Sequence, residues 1–203
     1  MKRTVGLAGV VLAVLAAAAA AVLLSRSAAP AAAPRAEATP FQEAGAARLL
    51  PIQGDNLDGQ RLSFPDDFVG SFNLVVMPFN RDQQTAAVGW LETFEQAARE
   101  DPRVAYYSIA ALTDLSPLVR TLVVQGLNVA VRDAAVRPRV VVAFLEDQAA
   151  FVAALGPGDT SAMRVLIVSP DGRVLWQTSG EHTPERAAEL LKALAELLGA
   201  TDA

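Results

Sequence analysis

The chain has 203 residues, of which 52% are hydrophobic and none is cysteine, and its net charge is −5. Without cysteine it has no thiolate nucleophile, disulfide, cysteine-ligated zinc or iron–sulfur cluster of its own. The single histidine, His182, excludes a histidine-rich metal site within one chain, and the acidic balance without a basic patch argues against nucleic-acid binding. We therefore expect no cofactor and no nucleic-acid partner.

The first 24 residues have the pattern of a membrane anchor. Lys2 and Arg3 form a short basic head, and every residue in the range 5–24 is apolar or glycine. Twenty helical residues span roughly 30 Å, which is the thickness of a bilayer core. We favour an uncleaved signal-anchor; the alternative is a signal peptide cleaved after Ala29 or Ala33. In both cases the basic head predicts that the rest of the chain lies on the periplasmic side of a bacterial inner membrane.

The segment that follows the apolar run changes composition twice. Residues 25–40 are rich in alanine and proline, cannot bury a core and are predicted to be a linker. The folded domain is predicted over residues 41–203. It opens with a hairpin over 50–70, because Asp58-Gly59 is a strong turn signal between two short alternating runs.

The next elements alternate between strand and helix. A continuous apolar run predicts a buried strand over 72–79, and a helix extends from there to Glu100, with Asp82 or Thr85 as its N-cap. Strands follow over 103–112 and 138–145. Between them Ser116-Pro117 predicts a helix start, and the helix is expected to reach Val124, although the valine content leaves a strand as the rival.

The last third of the sequence contains its clearest signals. A short helix is predicted over 147–155, and two apolar runs around Ser169-Pro170-Asp171-Gly172 predict a hairpin over 163–180. Thr183-Pro184-Glu185 then starts an amphipathic helix. Strands that alternate with helices imply parallel pairing through right-handed crossovers, and the hairpins add antiparallel strands.

This order resembles the thioredoxin-like superfamily in its peroxiredoxin or membrane-tethered thiol–disulfide form, over about residues 50–199. The resemblance rests on Asp58-Gly59, on "NLVVMPF", on the following "NRDQQTAA" and on "SPDGRVLW". It implies an α/β fold, a three-layer sandwich with a central mixed sheet, here preceded by an N-terminal transmembrane helix or signal sequence. The spacing places the two redox cysteines of the superfamily near Gln84 and Ala87, and its cis-proline at about Met163. Neither hallmark is present, so thiol-based redox catalysis is excluded.

A narrower resemblance is to the mitochondrial ATP synthase assembly-factor family, which is thioredoxin-like and often lacks the active-site pair. It rests on few shared residues: Phe79, Arg81, Gln83 or Gln84, Trp90 and Phe94, then Arg173 to Trp176 and Gly180. It would imply a membrane-associated assembly or chaperone role and no catalysis.

The candidate site lies where the strand over 72–79 ends, because open α/β sheets bind ligands outside the carboxyl ends of their strands. The candidate residues are the predicted polar loop Asn80, Arg81, Asp82, Gln83 and Gln84, together with Met163 and Arg164 of the facing loop. Arg81 is the leading candidate, since a guanidinium can hold a carboxylate with two hydrogen bonds.

Three functions follow from this pattern. We favour a membrane-tethered, redox-inactive domain that binds a protein partner and acts as an assembly or chaperone factor for an envelope complex. One alternative is a non-thiol enzyme that uses the loop over 80–85, with Asp82 or His182 as an acid or base. The other is a purely structural subunit of a membrane complex.

Overall fold

A computed structural model describes residues 47–201 of the chain. The predicted anchor over 5–24, the predicted linker over 25–40 and the first residues of the predicted domain lie outside the described residues. The strands and helices follow one another in this order: β1 (Ile52–Asn56), β2 (Arg61–Phe64), β3 (Phe72–Met77), α1 (Arg81–Glu100), β4 (Val104–Thr113), α2 (Pro117–Ala130), β5 (Val140–Leu145), α3 (Gln148–Ala154), β6 (Arg164–Val168), β7 (Val174–Ser179) and α4 (Pro184–Thr201). Within residues 47–201, no helix combines the length and the apolar character that a bilayer span requires.

The strands form one seven-stranded mixed sheet in the order β2-β1-β5-β4-β3-β6-β7. β3, β4 and β5 are parallel neighbours, and every other pair in the sheet is antiparallel. The parallel strands are the continuous apolar runs of the sequence, as expected of strands that are covered on both faces. The antiparallel pairs at the two ends are the two predicted hairpins. Gly59 and Gly172 have the positive φ angles that their tight turns require.

Helices cover both faces of the sheet, which gives three layers. α1 and α4 pack on one face around Trp90 and Phe94, with Leu190 and Leu194 beside them. α2 lies on the same face, over Ala110 and the neighbouring strand residues. The short α3 covers the opposite face with Phe151, Val152 and Leu155. This element order and sheet topology confirm the thioredoxin-like fold with a central mixed sheet.

The helix predicted after Ser116 is confirmed, but it extends to Ala130, six residues beyond the expected end at Val124, and the alternative prediction of a strand was wrong. The reason is that Val123, Val124 and Leu127 recur at helical spacing and pack together on the sheet.

The helix α1 is capped by neither Asp82 nor Thr85. Its N-cap is Asn80, whose extended backbone precedes the first helical residue, Arg81. The Asn80 side-chain oxygen accepts a hydrogen bond from the backbone N–H of Gln83 at 3.0 Å.

Candidate functional site

The predicted site lies along one edge of the sheet, which we call the carboxyl edge. β3, β4 and β5 all end there, and β6 begins there, since Met77 at the end of β3 pairs with Arg164 at the start of β6. The fold therefore brings the segment over 80–84 next to the segment over 157–164, although about eighty residues separate them in the sequence. This juxtaposition is the one that the thioredoxin-like resemblance implies.

The residues predicted as a polar loop are the start of a helix. Asn80 is the N-cap, and residues 81–84 form the first turn of α1. Because successive helical residues point about 100° apart, these neighbouring polar side chains have different surroundings. Gln83 is buried, Gln84 is half-buried, and Asn80, Arg81 and Asp82 are exposed.

Gln83 is an internal link between the two segments of the carboxyl edge. Its side-chain oxygen accepts a hydrogen bond from the backbone N–H of Phe79 at 2.8 Å. Its side-chain nitrogen donates to the backbone carbonyl of Thr160, also at 2.8 Å. The Gln83 side chain is 8% exposed and holds the loop before β6 against the end of β3. It is satisfied within the fold, so its side chain is not the one that meets a partner.

A second glutamine binds the backbone of the same residue, Phe79, through its carbonyl. The side-chain nitrogen of Gln148, at the start of α3, donates to the carbonyl of Phe79 at 3.2 Å and to the carbonyl of Ala111 in β4 at 2.6 Å. The backbone N–H of Ala111 in turn donates to the carbonyl of Pro78 at 3.0 Å. We call Gln83 and Gln148 the glutamine clamp. Sequence reasoning missed Gln148, because its partners lie 37 and 69 residues away and glutamine in a short helix has no specific signal.

The clamp leaves Arg81 presented on a fixed backbone. Arg81 is exposed, and its guanidinium makes no hydrogen bond or ion pair with any residue in the range 47–201. Most other arginines of this range hold a carboxylate or a carbonyl; Arg99, for example, lies on the same helix and pairs with Glu95 at 3.0 Å. Arg81 therefore has its full capacity to bind a carboxylate from outside the domain.

Met163 belongs to the core. Its side chain is 2% exposed and packs in the cluster of α1 and α4. Its backbone carbonyl accepts a hydrogen bond from the N–H of Gly180, at the end of β7, at 2.9 Å. Its side chain is not free for an incoming peptide, so Met163 supports the carboxyl edge from inside.

Arg164 is also buried, which is unusual for an arginine. It is 6% exposed, and one terminal nitrogen donates to the carbonyl of Pro157 at 2.5 Å. Its Nε has no hydrogen-bond partner among the described residues. Burial lowers the pKa of the Arg164 guanidinium, and the nearby carboxylate of Asp159 partly opposes that shift. Gly158 lies so close that a Cβ there would be 2.3 Å from a guanidinium nitrogen, so a larger residue would have to displace the buried Arg164 side chain.

His182 is not next to the predicted loop. Its ring lies edge-on to Trp90, and its Nε2 is 3.0 Å from the hydroxyl of Thr93. Thr93 is eleven residues beyond Asp82 on the same helix, which is roughly 16 Å along the axis. The structure thus does not bring Asp82 and His182 together as an acid–base pair. Within residues 47–201 no cluster of carboxylates and histidine could hold a metal ion.

The positions expected for redox cysteines are occupied by Gln84 and Ala87 on the first turns of α1. Gln84 is half-buried, and Ala87 is 2% exposed against the sheet. The two residues are three apart and so share one helix face. The scaffold retains the helix that would carry a reactive pair, but its chain supplies no thiol.

The chain matches no protein-family model and no curated protein sequence. Its structure is similar to solved thioredoxin-like structures at low sequence identity. These include BsSco, of the Sco family of cytochrome c oxidase assembly proteins (15% identity, 72% of this chain and 93% of that chain covered, TM-score 0.46), and the copper-bound ScoI of Arabidopsis thaliana (13%, 74% and 99%, TM-score 0.48). A third is the exposed lipoprotein thioredoxin Etrx1 of Streptococcus pneumoniae (13%, 72% and 99%, TM-score 0.49). These similarities concern the fold alone, and they decide no activity for this chain.

Proposed function

We propose that this protein is a membrane-tethered, redox-inactive thioredoxin-like domain that binds a protein partner on the periplasmic side of the inner membrane. In this proposal residues 5–24 anchor the chain and residues 25–40 link the anchor to the domain. The domain acts as an assembly or chaperone factor for an envelope complex. The apolar run after Lys2 and Arg3 supports the tether, and the absence of cysteine from the chain supports the redox-inactive part.

The observation that carries the binding role is the unpaired guanidinium of Arg81 on a preorganised backbone. The glutamine clamp fixes both backbone groups of Phe79, two residues before Arg81: Gln83 accepts from its N–H and Gln148 donates to its carbonyl. A fixed backbone reduces the entropy that a binding surface loses when a partner docks. Asn80, Asp82 and the half-buried Gln84 flank Arg81 and offer further hydrogen-bonding groups. The expected contact on the partner is an acidic side chain or a C-terminal carboxylate.

The test compares Arg81→Ala with a matched variant, Arg99→Ala, in the tagged full-length chain. Both residues are exposed arginines on α1, but Arg99 already pairs with Glu95. The chain is recovered from native membranes in mild detergent after crosslinking, and the co-purified proteins are quantified by mass spectrometry. Loss of a charged hydrogen bond of about 1.5–3 kcal/mol predicts a roughly tenfold or larger drop in partner recovery for Arg81→Ala alone. Equal recovery from both variants would reject Arg81 as the binding residue.

The same experiment separates binding from a purely structural role. The double change Arg81→Ala and Asp82→Ala alters only exposed side chains and leaves the glutamine clamp in place. If the envelope complex assembles normally with this variant while the domain stays folded, the carboxyl edge is not the working surface. A complete absence of crosslinked partners with the unmodified chain would contradict the binding role altogether.

A further inference from the structure

The outer face of α2 is apolar, unlike the outer faces of α1 and α4. Leu118, Leu122 and Val129 lie on one side of the helix at spacings of four and seven residues, and their exposed fractions are 72%, 57% and 50%. We call these three residues the α2 stripe. α1 presents mainly acidic and basic side chains at its exposed positions, and on α4 the exposed Leu191 lies among Glu185, Glu189, Lys192 and Glu196. Exposed apolar patches of a few hundred Å² on folded domains are often functional surfaces.

The helix α2 already has a partner on its inner face, so the stripe is additional to the core. Val123, Val124 and Leu127 pack against the sheet. The stripe is on the opposite side, beside the exposed Gln125 and next to Gly126, which has open space around it. Folding of the domain therefore does not account for the three exposed apolar side chains.

Charge around the stripe differs from charge over the rest of the chain. Residues 117–139 contain four arginines and one aspartate in a chain whose net charge is −5, and two of these arginines, Arg120 and Arg137, form ion pairs with Asp114 and Asp58. Between Pro117 and Arg132 there is no acidic residue. Arg132 is exposed just beyond the end of the helix, and Arg120, whose guanidinium also pairs with Asp114, is about 41% exposed. Apolar side chains flanked by arginines are the pattern of a helix that lies in the surface of an anionic bilayer.

We propose that the α2 stripe docks on the surface of the lipid bilayer, with Leu118, Leu122 and Val129 entering the boundary between headgroups and acyl chains. This inference rests on the tether of the proposed function. The 22 residues from 25 to 46 can extend over roughly 70 Å, whereas a domain of this size has a radius of gyration of about 15 Å. The tether thus permits α2 to reach the membrane. It also raises the local concentration of the domain at the membrane, so that a small apolar patch is enough for α2 to stay bound to the bilayer.

The size of the stripe favours a bilayer over a second copy of the chain. Three side chains on a 14-residue helix expose a few hundred Å² at most, well short of the about 800 Å² per partner that stable protein interfaces bury. A bilayer needs no complementary surface, since any exposed apolar side chain gains by leaving water.

Docking through α2 also sets the orientation of the carboxyl edge. A crossover helix between parallel strands runs back along them, so the strands lie along the membrane when α2 lies flat on it. The carboxyl edge, with Arg81, then faces sideways along the membrane. That direction is the one from which the extramembrane part of a membrane protein would approach.

The test uses the absence of cysteine, which allows one thiol to be labelled at a chosen position. Gln125→Cys places an environment-sensitive fluorophore beside the stripe without changing it, and Lys192→Cys places the same fluorophore on the outer face of α4 as a matched control. The full-length chain is reconstituted in phosphatidylcholine vesicles with and without phosphatidylglycerol, at less than one chain per vesicle. Membrane association is scored by flotation.

The fluorophore at position 125 should have a blue-shifted emission that spin-labelled lipids quench, and the blue shift should be larger with phosphatidylglycerol. The fluorophore at position 192 should have the emission of an aqueous environment. Adding Leu118→Ser and Leu122→Ser should lower the membrane-inserted fraction of the probe roughly tenfold or more. Circular dichroism should show that this variant folds, because both leucines are exposed.

Three outcomes would overturn the proposal in distinguishable ways. If the chain floats with the vesicles but the fluorophore at position 125 has the emission of an aqueous environment, docking is rejected and the proposed tether is not. A chain that does not float rejects the tether and the docking together. A response at position 125 that is seen only at many chains per vesicle assigns the stripe to a second copy of the chain.

Discussion

Removing one side of the glutamine clamp tests how the carboxyl edge is held. In Gln83→Leu the side-chain volume is nearly kept, but the N–H of Phe79 and the carbonyl of Thr160 lose their partners. Phe79 is 5% exposed, so water cannot replace the lost acceptor, and an unsatisfied buried donor costs about 1–3 kcal/mol. Thr160 is half-buried, so water recovers most of the second bond. We expect the free energy of unfolding to fall by about 2–3 kcal/mol.

The assay is urea unfolding of the full-length chain in mild detergent, followed by the fluorescence of the two buried tryptophans, Trp90 and Trp176. Hydrogen exchange at the Phe79 amide, measured in the same samples, should accelerate in Gln83→Leu. The matched control is Gln84→Ala, which is half-buried and should change the free energy of unfolding by less than about 0.5 kcal/mol. A loss in Gln83→Leu as small as in the control, with unchanged exchange at Phe79, would refute the clamp.

Two further predictions concern the loop before β6 and the last hairpin. Gly158→Ala should lower the free energy of unfolding by about 1–3 kcal/mol, because φ is +119° and the Cβ would meet the buried Arg164 guanidinium. The control is Gly59→Ala, where φ is +81° but the space is open, and it should lower the free energy of unfolding by less. Equal losses in the two variants would contradict the contact between residue 158 and Arg164. A hydrogen bond from the Ser169 hydroxyl, at 2.5 Å, is the main cause of the lowered pKa of Asp171, so Ser169→Ala should raise that pKa in a carboxyl NMR titration. Because the folded-state pKa is below the unfolded value, the stabilisation is present above the ordinary carboxyl pKa and is lost as pH falls through the lowered one; an unchanged titration would reject this cause.

The hairpins and the parallel strands could be predicted because local chemistry decides them. Asp58-Gly59 and the turn before Gly172 supply the positive φ that a tight turn needs, and the apolar runs mark strands that are buried on both faces. The N-cap of α1 was missed although Asn80 is a favourable cap. Asp82 and Thr85 are also good N-cap residues, and only the end of β3 at Met77 fixes where the helix begins.

The α2 segment was ambiguous for a different reason. Four of its fourteen residues are valines, which favour strands, and its polar side is narrow, with Thr121, Gln125 and Asn128 at helical spacing. The structure resolves the ambiguity by packing one side on the sheet and leaving the α2 stripe in solvent. The pattern that obscured the helix is thus the one that indicates a second interaction surface.

By itself the sequence determined that the chain has no thiol chemistry, that an apolar run of bilayer length precedes the domain, and that strands and helices alternate. These properties follow from residue type and spacing along the chain. Only the tertiary structure decided which polar residues of the predicted site are available. Gln83 and Arg81 are equally polar and two positions apart, yet helical geometry turns Gln83 toward Thr160, a residue distant in sequence, and turns Arg81 toward solvent.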